Sequence, residues 1–225
     1  MSKPVLQSPL HSFGLSAQAR PADESCGVWA NEVPLQGHIS LRGNPANTAF
    51  QDGAASALGT RLPAKPCTFT RSGAVKALWL SPDEWMIVGP RARLVPLLRG
   101  LGKALSGIRS QVVDNSGGYT EIIVQGRNAS DVISHASVYD VHRLGEGRVV
   151  GTTFGKSTVY MYRERDGVSL LVRRSFADYV WRFLVRAAEP YDFGIVRLDK
   201  GASRRTRHEL QRLRGVRLAF DEMER

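Results

Sequence analysis

Residues 37–59 read GHISLRGNPANTAFQDGAASALG, and residues 121–141 read EIIVQGRNASDVISHASVYDV. Laid side by side they match without gaps: Ile39 with Ile122, Leu41 with Val124, Gly43 with Gly126, Ala46 with Ala129, Phe50 with Ile133. Each stretch runs from a short strand through a glycine turn to an Asn- or Ser-containing cap and an amphipathic helix. The glycine suits a tight exit from the strand, where a side chain at positive φ would clash.

The match continues past the helix, which marks it as an internal repeat. TFTRSGAVKALWLSPDEWMIVG (68–89) is answered by TFGKSTVYMYRERDGVSLLV (153–172), in each case a pair of strands joined by a turn. A helix then closes each copy. The first is RLVPLLRGLGKALSG (93–107); the second is SFADYVWRFLVRAA (175–188), where Phe176, Val180, Phe183, Leu184 and Ala187 fall at the spacing of a buried stripe. The predicted fold is therefore α+β: duplicated βαββα units, with helices covering one face of a mostly antiparallel sheet. The boundaries expected are an N-terminal arm (1–30), a first unit (31–110), a second unit (111–190) and a basic C-terminal extension (191–225).

Inside the first copy, Trp79 and Trp85 flank the turn Ser81-Pro82-Asp83-Glu84. Paired carboxylates can divide acid and base work when their surroundings separate their pKa values. Neighbours on a strand, however, point to opposite faces. The second copy carries Arg163-Glu164-Arg165-Asp166-Gly167 at this place, a charged hairpin tip with Asp-Gly turn chemistry. The turn is read as a connector, and the two indoles as strand residues able to bury large area against a helix or a partner.

The composition is that of an ordinary globular chain: of 225 residues, 42% are hydrophobic and 23% charged. No apolar run is long enough to span a bilayer, and the first twenty residues carry no secretory-type apolar core, so a cytoplasmic, non-membrane protein is expected. Cys26 and Cys67 stand alone, predicting reduced thiols and no zinc site. His11, His38, His135, His142 and His208 show no metal-binding spacing, although His135 and His142, seven positions apart, would align on a continuous helix. Neither a GxGxxG nor a GxxxxGK[ST] motif is present, so no nucleotide site is expected. Gly117-Gly118 reads as a turn before a strand.

The formal net charge of +10 raises nucleic acid as a partner. The excess gathers visibly in the last stretch, around Arg204, Arg205, Arg207, Arg212, Arg214 and Arg217, where a helix is expected over about 203–213. No aromatic is interleaved there, so base stacking is not expected. The open alternatives are a solvated tail and an arm docking on an acidic neighbouring subunit.

The order GHISLRGNP, RLPAKPCTFTRSG, ALWLSPDEWMIVG, VVDNSGGYTEIIVQG, GTTFGKSTVYMYR, RSFADYVWRFL resembles the gamma subunit of heterotetrameric sarcosine oxidase, over about residues 5–190. Ser8-Pro9-Leu10 is similar to that family's N-terminus, and WLSPDEW with its surrounding order is a specific stretch; the chain beyond about Tyr191 is not matched by the resemblance. The resemblance implies a subunit without chemistry of its own, assembled with alpha, beta and delta subunits that hold FAD, FMN, NAD, zinc and the tetrahydrofolate site. Such an assembly oxidatively demethylates sarcosine to glycine, passing electrons through flavin to oxygen and the one-carbon unit to tetrahydrofolate. The gamma fold is itself similar to the folate-binding domain of the glycine-cleavage aminomethyltransferases. In those transferases the segment corresponding to Gly151–Val159 carries the catalytic aspartate, and here it has no carboxylate.

Asp114, in VVDNSGGYT, is expected to cap its own turn. At Ser137 the family is expected to show Cys-Pro followed by Leu-Asp-Leu-His, of which Asp140 and His142 are kept. No catalytic, cofactor or metal residue is expected on this chain. The expected partner contacts are Leu10, Phe13, Trp79, Trp85, Arg204, Arg205 and Arg207. Two other readings stay open: a stand-alone folate-binding or aminomethyltransferase-like protein, and a subunit of a sister oxidase acting on another N-methyl amino acid.

Overall fold

A computed structural model describes residues 6–198. After a single turn, α1 (Leu15–Gln18), the first copy comprises β1 (Val28–Val33), β2 (Gln36–Gly43), α2 (Thr48–Leu58), β3 (Phe69–Ser72), β4 (Val75–Ser81), β5 (Glu84–Pro90) and α3 (Arg91–Ala104). The second repeats the sentence: β6 (Ser110–Asp114), β7 (Tyr119–Gln125), α4 (Ala129–Ser134), β8 (Val149–Phe154), β9 (Ser157–Glu164), β10 (Gly167–Arg173) and α5 (Ala177–Ala188), followed by β11 (Phe193–Ile195). Each copy is thus longer than the expected unit, by a leading strand and by a short strand before the hairpin.

Strand order gives the duplication a second layer of meaning. One sheet runs β3-β4-β5-β2-β6 and the other β8-β9-β10-β7-β1-β11. The equivalent strands occupy equivalent places, but the leading strands are exchanged: β1 pairs with β7 of the second copy, and β6 with β2 of the first. All pairs are antiparallel except β1 with β11. The sheets also touch edge to edge, where Val149 N–H donates to the Cys67 carbonyl at 3.0 Å and Phe69 N–H to that of Gly147 at 3.1 Å.

Alternation along the strands sends one set of side chains outward and the other inward. The outward set of the first sheet, Ile39, Leu41, Ala77, Trp85 and Ile87, packs under α2 and α3 with Phe50, Ala54 and Leu101. That of the second, including Ile122, Val124, Met161, Leu170 and Val172, packs under α4 and α5 with Val132, Val180 and Leu184. The inward sets meet each other: Leu78, Met86 and Val88 face Val149, Tyr162 and Leu171. The result is helix, sheet, sheet, helix.

The helix ends follow local chemistry. The Asn47 side chain accepts from Phe50 N–H at 3.2 Å, capping α2, and Gly59 closes it at φ 69°. The repeated glycines, in contrast, are needed for different reasons. Gly126 sits at φ +109°, as expected, and a Cβ there would strike the Gly27 carbonyl. Gly43 is not at positive φ; it is glycine because the Phe50 ring lies where its Cβ would be. Alanine at either position is expected to destabilise the chain by about 1–3 kcal/mol, read as a lower denaturant midpoint. In the Phe50→Leu background the penalty at position 43 shrinks, while that at 126 does not.

Candidate functional site

The densest group of polar side chains lies where the two sheets meet. Lys76, on β4, follows Val75 in an apolar strand and shares the inward face with Leu78. Its ammonium reaches Glu164 Oε1 on β9 at 2.5 Å, the Tyr162 hydroxyl at 3.0 Å and Glu121 Oε1 on β7 at 3.6 Å. Ser169 Oγ donates to Glu121 Oε1 at 2.7 Å, Gln36 Nε2 donates to Glu121 Oε2 at 2.6 Å, and Arg71 pairs with Glu164. The cations come from the first sheet and the carboxylates from the second, so the cluster is a charge-matched clasp between the halves.

The electrostatics follow from burial and pairing. Burial alone would push Lys76 down, but Glu121, Tyr162 and Glu164 reverse this and hold it above its ordinary value. Burial pushes Glu121 and Glu164 up, and Lys76 with the surrounding donors more than offsets that, leaving both below the ordinary carboxylate range. Burial and Glu121 push the Tyr162 phenol up. Lys76 is therefore held as an ammonium and cannot act as an amine nucleophile. The group is built to hold charge in place, not to move protons.

His38 occupies the position in β2 that Glu121 occupies in β7, since Ile39 matches Ile122. It is fully buried, its ring 6.0 Å from that of Tyr119, and neither ring nitrogen has a hydrogen-bond partner among the described residues. Desolvation lowers its pKa to about 4, against the pull of Glu121 and Asp114.

The residues singled out from sequence fall elsewhere. Leu10 and Trp85 are each 1% exposed, inside this chain's own cores, and the Trp85 indole N–H donates to the Pro63 carbonyl at 3.1 Å. Both are core residues and present no surface to a partner, which corrects the contact role expected of them. Trp79 is half-buried opposite Trp85 in the β4–β5 ladder. Phe13, also half-buried, stands edge-on to Trp181 at 6.3 Å with the Arg182 guanidinium 5.0 Å from its ring centre. Arg204, Arg205, Arg207 and the helix expected near them lie outside the described residues.

Asp83 pairs with Arg42 at 2.8 Å and accepts from Ser81, both of which lower its pKa; Glu84 opens β5. They tie a turn and form no catalytic pair with each other. Asp114 accepts from Ser116 N–H at 2.9 Å, the turn cap expected of it, and Asp140 likewise accepts from His142 N–H. His135 and His142 do not share a helix, because α4 stops at Ser134. Among the described residues no group of His, Cys, Asp or Glu is arranged to hold a metal ion, and no helix is long and apolar enough to cross a membrane.

The resemblance raises folate as a ligand, and the charged groups between the sheets offer no place for one among the described residues. Glu121 and Glu164 are committed to Lys76, the buried Glu32 of β1 accepts from the Thr120 hydroxyl at 2.7 Å, Gly151–Val159 offers no carboxylate, and the shallow cleft between α3 and β6 has room for about one water. The sequence concealed this site because Lys76 and Glu121 read as isolated charges in apolar strands. The signal was their phase: both share an inward face with residues too apolar for solvent.

The fold is shared with part of an aminomethyltransferase. Aminomethyltransferase T of the glycine cleavage system from Bartonella henselae superimposes with a TM-score of 0.61 at 14% identity, over 84% of this chain and 58% of that one. A chain of the heterotetrameric sarcosine oxidase from Corynebacterium sp. U-96, solved with pyrrole 2-carboxylate, matches with a TM-score of 0.72 at 25% identity, over 87% of this chain and 98% of that one. No curated protein sequence gave a match. Residues 42–189 match the sarcosine oxidase, gamma subunit family, and the chain belongs to that family.

Two outcomes are expected of the clasp. Lys76→Met, which takes the ammonium from the buried Glu121 and leaves Glu164 to Arg71 alone, costs about 3–5 kcal/mol in denaturant unfolding, and adding Glu121→Gln and Glu164→Gln recovers most of it. The His38 pKa is lower folded than unfolded, so the unfolded chain takes up a proton there first. Stability therefore falls as pH drops from 6.5 to about 4, by about 3 kcal/mol, and His38→Gln flattens that window.

Proposed function

We propose that this chain is a non-catalytic gamma subunit of a flavin-dependent oxidase that demethylates sarcosine to glycine, bracing the interface between the catalytic subunits. Family membership supports its place in such an assembly. The observation that carries the non-catalytic part is the clasp: Lys76 and Arg71 of the first sheet neutralise Glu121 and Glu164 of the second. A group committed in this way gives no general acid or base near neutral pH.

On this reading the alpha, beta and delta subunits hold FAD, FMN, NAD, tetrahydrofolate and zinc, and the amine is oxidised there in the cytoplasm. The contribution of this chain is shape. Two sheets locked face to face, with strands exchanged between halves, resist the shear that two independent domains would allow. The strand exchange makes each half incomplete without the other, so the unit boundary near residue 110 divides the sequence into copies but not the structure into separable bodies.

Co-expression of the tagged chain with the genes beside its own provides the test. Co-elution at fixed stoichiometry with chains showing a flavin absorbance spectrum, and methylated-amine-dependent oxygen uptake by that fraction, is the expected result. A chain that elutes alone, folded and colourless, and binds a reduced folate would instead establish the stand-alone folate protein.

A further inference from the structure

The net charge of the chain is +10, yet residues 199–225 hold eight Lys or Arg and five Asp or Glu, and Lys3 adds one charge. Most of the excess, +6, therefore resides in residues 6–198, contrary to its apparent gathering in the tail. A large part is on α3. This helix, Arg91–Ala104, contains Arg91, Arg93, Arg99 and Lys103 and no carboxylate, and none of these four makes an ion pair among the described residues.

The duplication supplies an internal control. α5 is the equivalent helix of the second copy and obeys helix electrostatics: Asp178 lies in its first turn, Arg186 in its last, and Arg182 pairs with Asp178 at 2.9 Å. In α3 the first turn instead carries Arg91 and Arg93 against the positive end of the helix dipole, and Pro90 provides no side-chain cap. Identical placement in the fold with opposite electrostatics is a local conflict that folding does not require.

The charges are also ordered. Arg91, Val95, Arg99 and Lys103 are spaced by four, so they form one ridge along the helix. Val95, 49% exposed, is an apolar centre between the arginines. On the sheet side of this ridge lies the cleft formed by Ile39, Leu94, Leu98 and Asp114, and beyond it β6, an edge strand with one side unpaired.

We propose that the α3 ridge and the adjoining β6 edge are the docking surface for an acidic segment of a partner subunit, whose carboxylates meet Arg91, Arg99 and Lys103 while an apolar residue covers Val95. The proposal rests on the subunit reading above. Charge selects the occupant: a second copy is net positive, and the chain's own tail, although it ends in Asp221-Glu222-Met223-Glu224, carries seven Lys or Arg between residues 200 and 217 that the ridge would repel, so a partner segment complements it better than either. Nucleic acid is disfavoured because no aromatic side chain lines the ridge or its cleft.

Arg99→Glu separates the possibilities. The new carboxylate falls four residues before Lys103, a favourable helical pair, so the free chain is expected to keep or slightly raise its melting temperature. Its affinity for the co-expressed partners is expected to drop about ten-fold or more, with weaker salt dependence, while Arg186→Glu on α5 changes neither. Wild-type affinity in the Arg99→Glu variant overturns this inference and leaves the subunit reading standing; failure of the wild-type chain to assemble overturns both. Tight binding of a single-stranded oligonucleotide by the wild-type chain, lost in Arg99→Glu while assembly is unchanged, overturns it in favour of a nucleic-acid surface.

Discussion

The buried ammonium of Lys76 is the constraint on which the architecture turns. A lone charge between two sheets would cost several kcal/mol, so wherever it is retained the opposite sheet must bring carboxylates to it. Glu121 and Glu164 do this from adjacent regions of the second sheet, and Ser169, Gln36, Tyr162 and Arg71 satisfy what the three charges leave over. Apolar contact among Leu78, Met86, Val88, Val149 and Leu171 supplies the area, but such contact is tolerant of sliding. Fixed charge pairs are not, and they set one register between the halves.

Strand exchange acts in the same direction. Because β1 completes the second sheet and β6 the first, the halves cannot part without breaking two antiparallel ladders. Exchange and clasp together turn a duplicated, potentially two-domain sequence into one body. That is a useful property for a subunit whose proposed role is to hold others in position, and it places the chain's distinctive chemistry on its outside, along α3.

Much of this was legible in the residues. Gap-free matching of Ile39, Gly43 and Phe50 with Ile122, Gly126 and Ile133 revealed the duplication, and alternation with turn residues revealed most strands. β3 and the leading strands were missed because they are short or lie apart from the matched segments, where propensity is weak. Exchange itself leaves no mark in sequence, since a strand's pattern records which face is buried and not which neighbour it joins. Gly43 looked like Gly126 but answers to a ring rather than to a dihedral angle. The indoles attracted attention by size, although one of them is simply core, whereas the single methylene-rich Lys76 passed as an ordinary strand charge.

On the proposed reading, the interior of this chain gives rigidity and no chemistry. The most direct measurement is the turnover number, per assembled complex, of an oxidase carrying Lys76→Met with Glu121→Gln and Glu164→Gln, in which the titrating clasp is gone and its volume is kept. The account predicts a turnover number and pH profile equal to those of the wild-type assembly, even where less complex forms. A turnover number reduced by about ten-fold or more in fully assembled complex, or a displaced pH profile, would contradict it.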